Sequence, residues 1–185
     1  MNPTARWPEL PYDGWKDTYA TLHMWMQIVG KVALTQSPPL NHSWGVAMQV
    51  TPSGVSTRTL AQGERSFTIE FDFMDHRLVV RTSDGATRAL ALAPPTVAEF
   101  YRLVMDLLSD LSLPVKIWPT PVEVPNPIRF TEDTVHASYD PESANRFWRI
   151  LVQVDRVLSS TRCSFIGKAS PVWSAIILFW LNLRL

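Results

Sequence analysis

The stretch Phe67-Thr-Ile-Glu-Phe-Asp-Phe-Met-Asp-His-Arg-Leu-Val-Val-Arg81 decides the fold. Phe67, Ile69, Phe71 and Phe73 alternate with Thr68, Glu70, Asp72 and Met74, the period-two pattern of a strand with one buried face. A reversal at Asp75-His76 predicts a hairpin in which Phe73 meets Leu78, Phe71 meets Val80 and Glu70 meets Arg81. Neither turn residue is Gly or Asn, so a longer turn also fits. The polar face admits two readings. Glu70 and Arg81 form a solvated cross-strand pair contributing about 0.2–1 kcal/mol, or Glu70, Asp72 and His76 line a cleft floored by the sheet. Asp72 and His76 straddle the turn, and no His-x-x-x-His or Cys-x-x-Cys spacing occurs, so no metal ligands are assigned.

Working outward, residues 1–12 read as an extended lead-in pinned by proline. Trp15, Tyr19, Leu22, Met26, Val29 and Ala33 recur at helical spacing, with Lys16, His23, Gln27 and Lys31 along the opposite, polar side. Strands are predicted over residues 44–51 and 55–60, then the hairpin, then Thr87 to Leu92 after the Ser83-Asp-Gly85 turn. Thr96 and Glu99 form the signature of a capping box ahead of a second helix. Val115 to Trp118 suggests a short strand, and the proline-rich segment from Pro119 to Pro127 an extended cover. Asp140-Pro141 opens a third helix with Phe147, Leu151, Val154 and Leu158 at core spacing and Arg149, Gln153 and Arg156 on the outer side. The expected fold is α+β: an antiparallel meander sheet packed with about three helices in one layered domain spanning 1–185.

Composition narrows the function classes. Seventeen basic and seventeen acidic residues cancel, which disfavours nucleic acid as a partner. Seven dispersed glycines leave no phosphate loop, and Gly-x-Ser-x-Gly is absent. The lone Cys163 provides no disulfide framework and reads as a small buried or half-buried residue; a reducing cytoplasm is the expected location. The apolar run from Val172 to Leu181 is shorter than the ~20 residues of a membrane-spanning helix, so no membrane span is expected.

Among polar residues in irregular segments, His42, Trp44, His136 and Lys168 are site candidates. Arg146 could clamp an anion or pair with Glu142 one turn away. The fullest reading gathers Asp72 and His136 as catalytic groups, with His42, Trp44, Glu70, His76, Arg146 and Lys168 as ligand contacts, around a small anionic substrate. Its rival is a non-catalytic interaction or structural domain with a tryptophan-rich surface. Cofactor and oligomeric state are left open.

Trp7-Pro-Glu-Leu-Pro11, Thr21-Leu-His-Met-Trp-Met-Gln-Ile-Val-Gly-Lys31, Asn41-His-Ser-Trp44, Phe71-Asp-Phe-Met-Asp-His-Arg-Leu78, His136-Ala-Ser-Tyr-Asp-Pro-Glu142, Asn145-Arg-Phe-Trp148 and Phe165-Ile-Gly-Lys168 with Ser170-Pro171 together resemble a largely bacterial family, domain of unknown function 5996. The resemblance covers about residues 6–172 and implies no activity, substrate or cofactor. It implies that the His, Trp, Asp and Lys positions just quoted belong to a shared pattern. Where the family pattern continues past Ser-Pro-Val into a segment bearing His and Asp, this chain has an apolar tail from Trp173, as an altered or frameshifted terminus would.

Overall fold

In the computed structural model, which describes residues 6–38, 45–93, 96–163 and 165–167, the hairpin is the spine of a six-stranded antiparallel sheet. Its strands are β1 (Gln49–Val50), β2 (Gly54–Ser56), β3 (Leu60–Gln62), β4 (Arg65–Asp72), β5 (Arg77–Thr82) and β6 (Thr87–Ala91). The order is β1-β2-β4-β5-β6, with β3 continuing the β2 edge along β4. Three helices accompany it: α1 (Lys16–Gln36), α2 (Val97–Asp110) and α3 (Pro141–Cys163). This is the expected α+β layered domain.

The hairpin register differs from expectation by two residues: Phe71 pairs with Leu78, Ile69 with Val80 and Glu70 with Val79. The cause is a longer turn. Asp72 Oδ1 accepts hydrogen bonds from the Met74 and Asp75 amides, each at 2.9 Å, and His76 adopts φ +52°. A shift of two, unlike a shift of one, keeps every side chain on its own face. Glu70 therefore still reaches Arg81, diagonally, at 2.6 Å.

The strand expected over 55–60 is broken. Between β2 and β3 the Thr57 amide donates to the Ile69 carbonyl at 2.9 Å, while the Thr57 hydroxyl oxygen accepts from the Ile69 amide at 3.0 Å. A side chain thus replaces one rung of the ladder, as a local interruption requires. Gly54 is obligatory at the start of β2, because a Cβ there would stand 1.7 Å from the Phe71 carbonyl oxygen. Of the strand expected over 44–51 only β1 is regular, and Trp44 lies outside the described residues. Val115 to Trp118 is not a strand. Bracketed by Pro114 and Pro119, it leads directly into the proline-rich strap.

The apolar face of the hairpin packs against α1 and α2. Phe67, Ile69, Phe71, Phe73, Leu78 and Val80 share one core with Trp25, Ile28 and Val29 of α1 and Phe100, Val104 and Leu108 of α2. Trp25 stacks on Phe100 with ring centroids 4.6 Å apart, and Phe100 lies 6.3 Å from Phe71. Each fully buried side chain of this size contributes about 1.5–3 kcal/mol. Thr96 caps α2 by accepting the Glu99 amide at 3.1 Å, but Glu99 turns its carboxylate to Arg102 and not back to the Thr96 amide, so only half of the capping box forms.

Two further expectations change. The polar side of α1 is only partly open to solvent: Lys16 is exposed, but Gln27 is 4% exposed because the strap lies over it. Helix α3 is covered mainly at its start, where Asp140 caps it, Phe147 meets Trp15 at 5.3 Å and the Trp148 indole donates to the Thr51 carbonyl at 3.1 Å. Farther along, Val157 and Leu158 are exposed, and so is Cys163, which is neither buried nor half-buried. Residues 1–5 of the lead-in and the tail from 168 onward lie outside the described residues.

Candidate functional site

Glu70 is held by three donors. Thr51 and Ser53, in the turn before β2, donate their hydroxyls to Oε1 at 2.7 and 2.6 Å, and Arg81 donates to Oε2 at 2.6 Å. Burial alone would raise its pKa. The bonds from Ser53, Thr51 and Arg81, with the arginine charge, reverse that and hold the carboxyl below its ordinary range. The β1–β2 turn therefore closes over Glu70.

At the hairpin tip, Asp72 caps its own turn as described, and His76 Nδ1 lies 2.9 Å from the Tyr139 hydroxyl. Tyr139 stacks on Trp25 at 5.4 Å. Burial, then the charges of Asp140 and Asp72, push its phenol up, so it serves as a neutral hydrogen-bond partner. Asn145 Nδ2 donates to the Phe73 carbonyl at 3.0 Å and ties α3 to the same tip. Asp72, His76, Tyr139 and Asn145 form one linked cluster.

A second cluster lies on the polar side of α1. The loop before α3 opens with Asp133, whose side chain is 0% exposed. Asp133 Oδ1 accepts the Val135 and His136 amides, both at 3.1 Å, and Oδ2 lies 2.7 Å from His136 Nδ1. The carbonyls of Asp133 and His136 accept the Ala98 and Val97 amides, so this loop also closes the start of α2. The carboxylate fixes the Nδ1 proton and leaves Nε2 as the remaining ring nitrogen of an imidazole that is 27% exposed.

His23 stands near this pair. Burial, then repulsion from His136, lower its pKa to about 4, so it is neutral at pH 7. Its Nε2 is 3.0 Å from the Gln27 amide nitrogen, and Gln27 grips Val122 of the strap through two bonds of 2.9 Å. Lys31, one turn farther along this side, has its pKa lowered by burial. Val122 and Val135 beside this cluster are 47% and 72% exposed. The result is a part-covered polar stretch of α1, with the positioned His136 imidazole beside His23 and the Lys31 amine one turn beyond Gln27.

Of the candidates named from sequence, Asp72 and His76 meet at the hairpin tip, Glu70 sits in its own hydroxyl cage, and His136 joins the α1 patch. Arg146 pairs with Glu142 and donates to the Glu9 carbonyl at 3.4 Å. His42, Trp44 and Lys168 lie outside the described residues. Asp133, His23 and Tyr139 were not among those candidates. The acid three residues before a histidine, Asp133-Thr-Val-His136, was the available signal for the first. No group of three or more His, Cys, Asp or Glu among the described residues is arranged to hold a metal ion, and no described helix is long and apolar enough to cross a membrane.

A family model described as "Family of unknown function (DUF5996)" matches residues 7–185, extending past the segment that carried the resemblance. No curated protein and no solved structure matches.

Proposed function

We propose that this chain, which belongs to the DUF5996 family, binds a small anionic molecule at the patch formed by His136, His23 and Lys31. The observation that carries the reading is the fully buried Asp133 holding His136 Nδ1 at 2.7 Å. A carboxylate in that position orients the imidazole and holds the proton on Nδ1, which suits His136 to accept a hydrogen bond or a proton through Nε2. Lys31 supplies positive charge, and Val122 and Val135 supply apolar contact, as a small-molecule site needs. If the bound molecule reacts, His136 is the general base; Asp133 is its positioning residue. His42, Trp44 and Lys168 are proposed as further contacts on their place in the family pattern, and Asp72, Glu70, His76 and Arg146 as the supporting frame. A cytoplasmic, bacterial setting belongs to the same proposal, and the neutral net charge leaves nucleic acid out of it.

Thermal-shift screening of the full chain against a metabolite library tests this. A hundredfold excess over Kd raises Tm by about 5 °C or more for a domain of this size. The expected compound stabilises the wild type but not His136→Gln or Lys31→Gln. The reading fails if no compound stabilises the wild type, or if those that do act equally on both variants.

A second reading rests on exposed apolar side chains, above all Trp118 at 70% and Val135 at 72%. It assigns the strap side to a protein partner. Concentration-dependent sedimentation that Trp118→Ser abolishes would favour it. The departure of residues 173–185 from the family pattern is likewise a proposal. A downstream reading frame restoring the His- and Asp-bearing continuation supports an altered end; an unbroken frame with a cooperatively folded product counts against it.

A further inference from the structure

The outer side of α3 presents a groove that the proposed site does not use. Gln153, Arg156, Val157, Ser160 and Thr161 recur at helical spacings of three and four and so share one side of the helix. Across from them stand Arg6 and Trp7 of the lead-in, and together they enclose an open groove of about 360 Å³. That volume lies within the range of small-molecule sites, roughly 300–1,000 Å³.

The chemistry of this lining is uneven in an informative way. Two guanidiniums, Arg6 and Arg156, border one groove. Among the described residues, the ion pairs present at Arg65, Arg77, Arg81, Arg102, Arg129 and Arg146 have no counterpart at either. Asp155 and Glu9, their close neighbours in sequence, likewise form no ion pair with them. Two arginines on one groove give it positive charge that no ion pair among the described residues neutralises, and guanidinium is the side chain best matched to the forked oxygens of phosphate and carboxylate. The Gln153 amide and the Ser160 hydroxyl add neutral donors. Thr161 is different: its hydroxyl already donates to the Val157 carbonyl at 3.0 Å.

Trp7 completes the groove. Its side chain is 55% exposed, and Val157 on the facing helix is 53% exposed. A half-exposed indole beside an aliphatic side chain offers a surface for a flat apolar body and a guanidinium-compatible π face.

We infer that this groove is a second binding site, for a molecule joining an oxyanion, phosphate or carboxylate, to a flat aromatic body. The oxyanion lies between Arg6 and Arg156 and the ring lies on Trp7. The site is separate from the His136 patch, so the two readings stand or fall independently.

Isothermal titration of the full chain with phenyl phosphate, benzoate, inorganic phosphate and phenol tests it. Phenyl phosphate or benzoate binds saturably, with affinity falling as salt rises. Arg156→Ala and Arg6→Ala each weaken that binding about tenfold or more, a change of about 1.4 kcal/mol. Trp7→Ala weakens it too, and His136→Gln leaves it unchanged. Arg156 is exposed, so circular dichroism of its variant should match the wild type. The inference is overturned if neither aromatic anion binds, if phenol or inorganic phosphate binds as tightly as both, or if the arginine variants retain full affinity. Loss of binding in His136→Gln would also overturn it, because the ligand would then belong to the other site.

Discussion

Glu70 and Asp133 are both buried acids, and their surroundings lead to opposite ends. The Glu70 side chain is 10% exposed and that of Asp133 is 0% exposed. Each accepts three hydrogen bonds. Around Glu70 all three donors come from the turn and strand beside it, and none offers a second function to solvent except the half-exposed Arg81. Around Asp133 one donor is an imidazole, which has a second nitrogen. The carboxylate that stabilises the loop therefore also aims a reactive group. Burial of a charge identifies a built site; the chemistry of its partners decides whether that site acts on anything beyond the fold.

The strongest test of this contrast is Asp133→Ala. It strands the Val135 and His136 amides and the His136 ring nitrogen in a loop that also closes α2. Removing one member of a buried charged network costs about 3–5 kcal/mol, and chemical denaturation should show it. Asp133→Asn keeps an acceptor for the amides and should lose about half as much. It should also change the tautomer of His136, seen in its ring nitrogen shifts. An unchanged ring in Asp133→Asn would mean that the carboxylate does not aim the imidazole.

How much of this contrast was legible in the sequence depends on distance along the chain. The alternation from Phe67 to Phe73 gave the strand and its buried face, because that pattern is set by residues two apart. The register missed by two, since Asp72 captures the Met74 and Asp75 amides and lengthens the turn. The helix caps at Thr96 and Asp140 were readable for the same local reason. The α1 patch was not. Gln27 and His23 fall on a side that periodicity marks as solvated, and only the strap ninety-five residues on, at Val122, reveals them as covered. Glu70 and Arg81 were paired correctly by charge, but the hydroxyls of Thr51 and Ser53 reach Glu70 through a turn whose packing no local pattern encodes.

The next effect separates the patch from the cage by pH. His23 has a folded-state pKa of about 4, against 6.5 ordinarily. Between those values the native protein binds fewer protons than the unfolded chain, so this contribution is intact above 6.5 and is lost as pH falls toward 4. The loss amounts to at most about 3 kcal/mol. The His23 ring resonance should titrate near pH 4, and His23→Gln should flatten the stability profile between pH 6.5 and 4. A midpoint near 6.5 would show that the strap does not shield the ring.

Glu70 titrates in the other sense. Its lowered pKa gives stability that is present above the ordinary carboxylate value and lost as pH falls through the folded one. Glu70→Gln should cost about 2 kcal/mol at pH 7, the scale of hydrogen bonds to a charged group. That difference from the wild type should shrink in acid, once the native carboxylate is itself protonated. A loss independent of pH would assign the effect to shape, not charge.

The smallest expected effect decides whether Glu70 is a closed cage or a charge pair. The Arg81 side chain is 51% exposed, so solvent screens its attraction for Glu70. Arg81→Met preserves the stem that packs on the sheet and removes only the guanidinium. It should cost less than about 1 kcal/mol, and less again at high salt. A double-mutant cycle with Glu70→Gln isolates the pair and should give a coupling below about 1 kcal/mol, because Thr51 and Ser53 still hold Oε1. A coupling above about 2 kcal/mol would make Arg81 to Glu70 what His136 is to Asp133: a partner the buried acid cannot do without. The hairpin face would then regain the half-exposed, positioned cation that the closed-cage reading denies it.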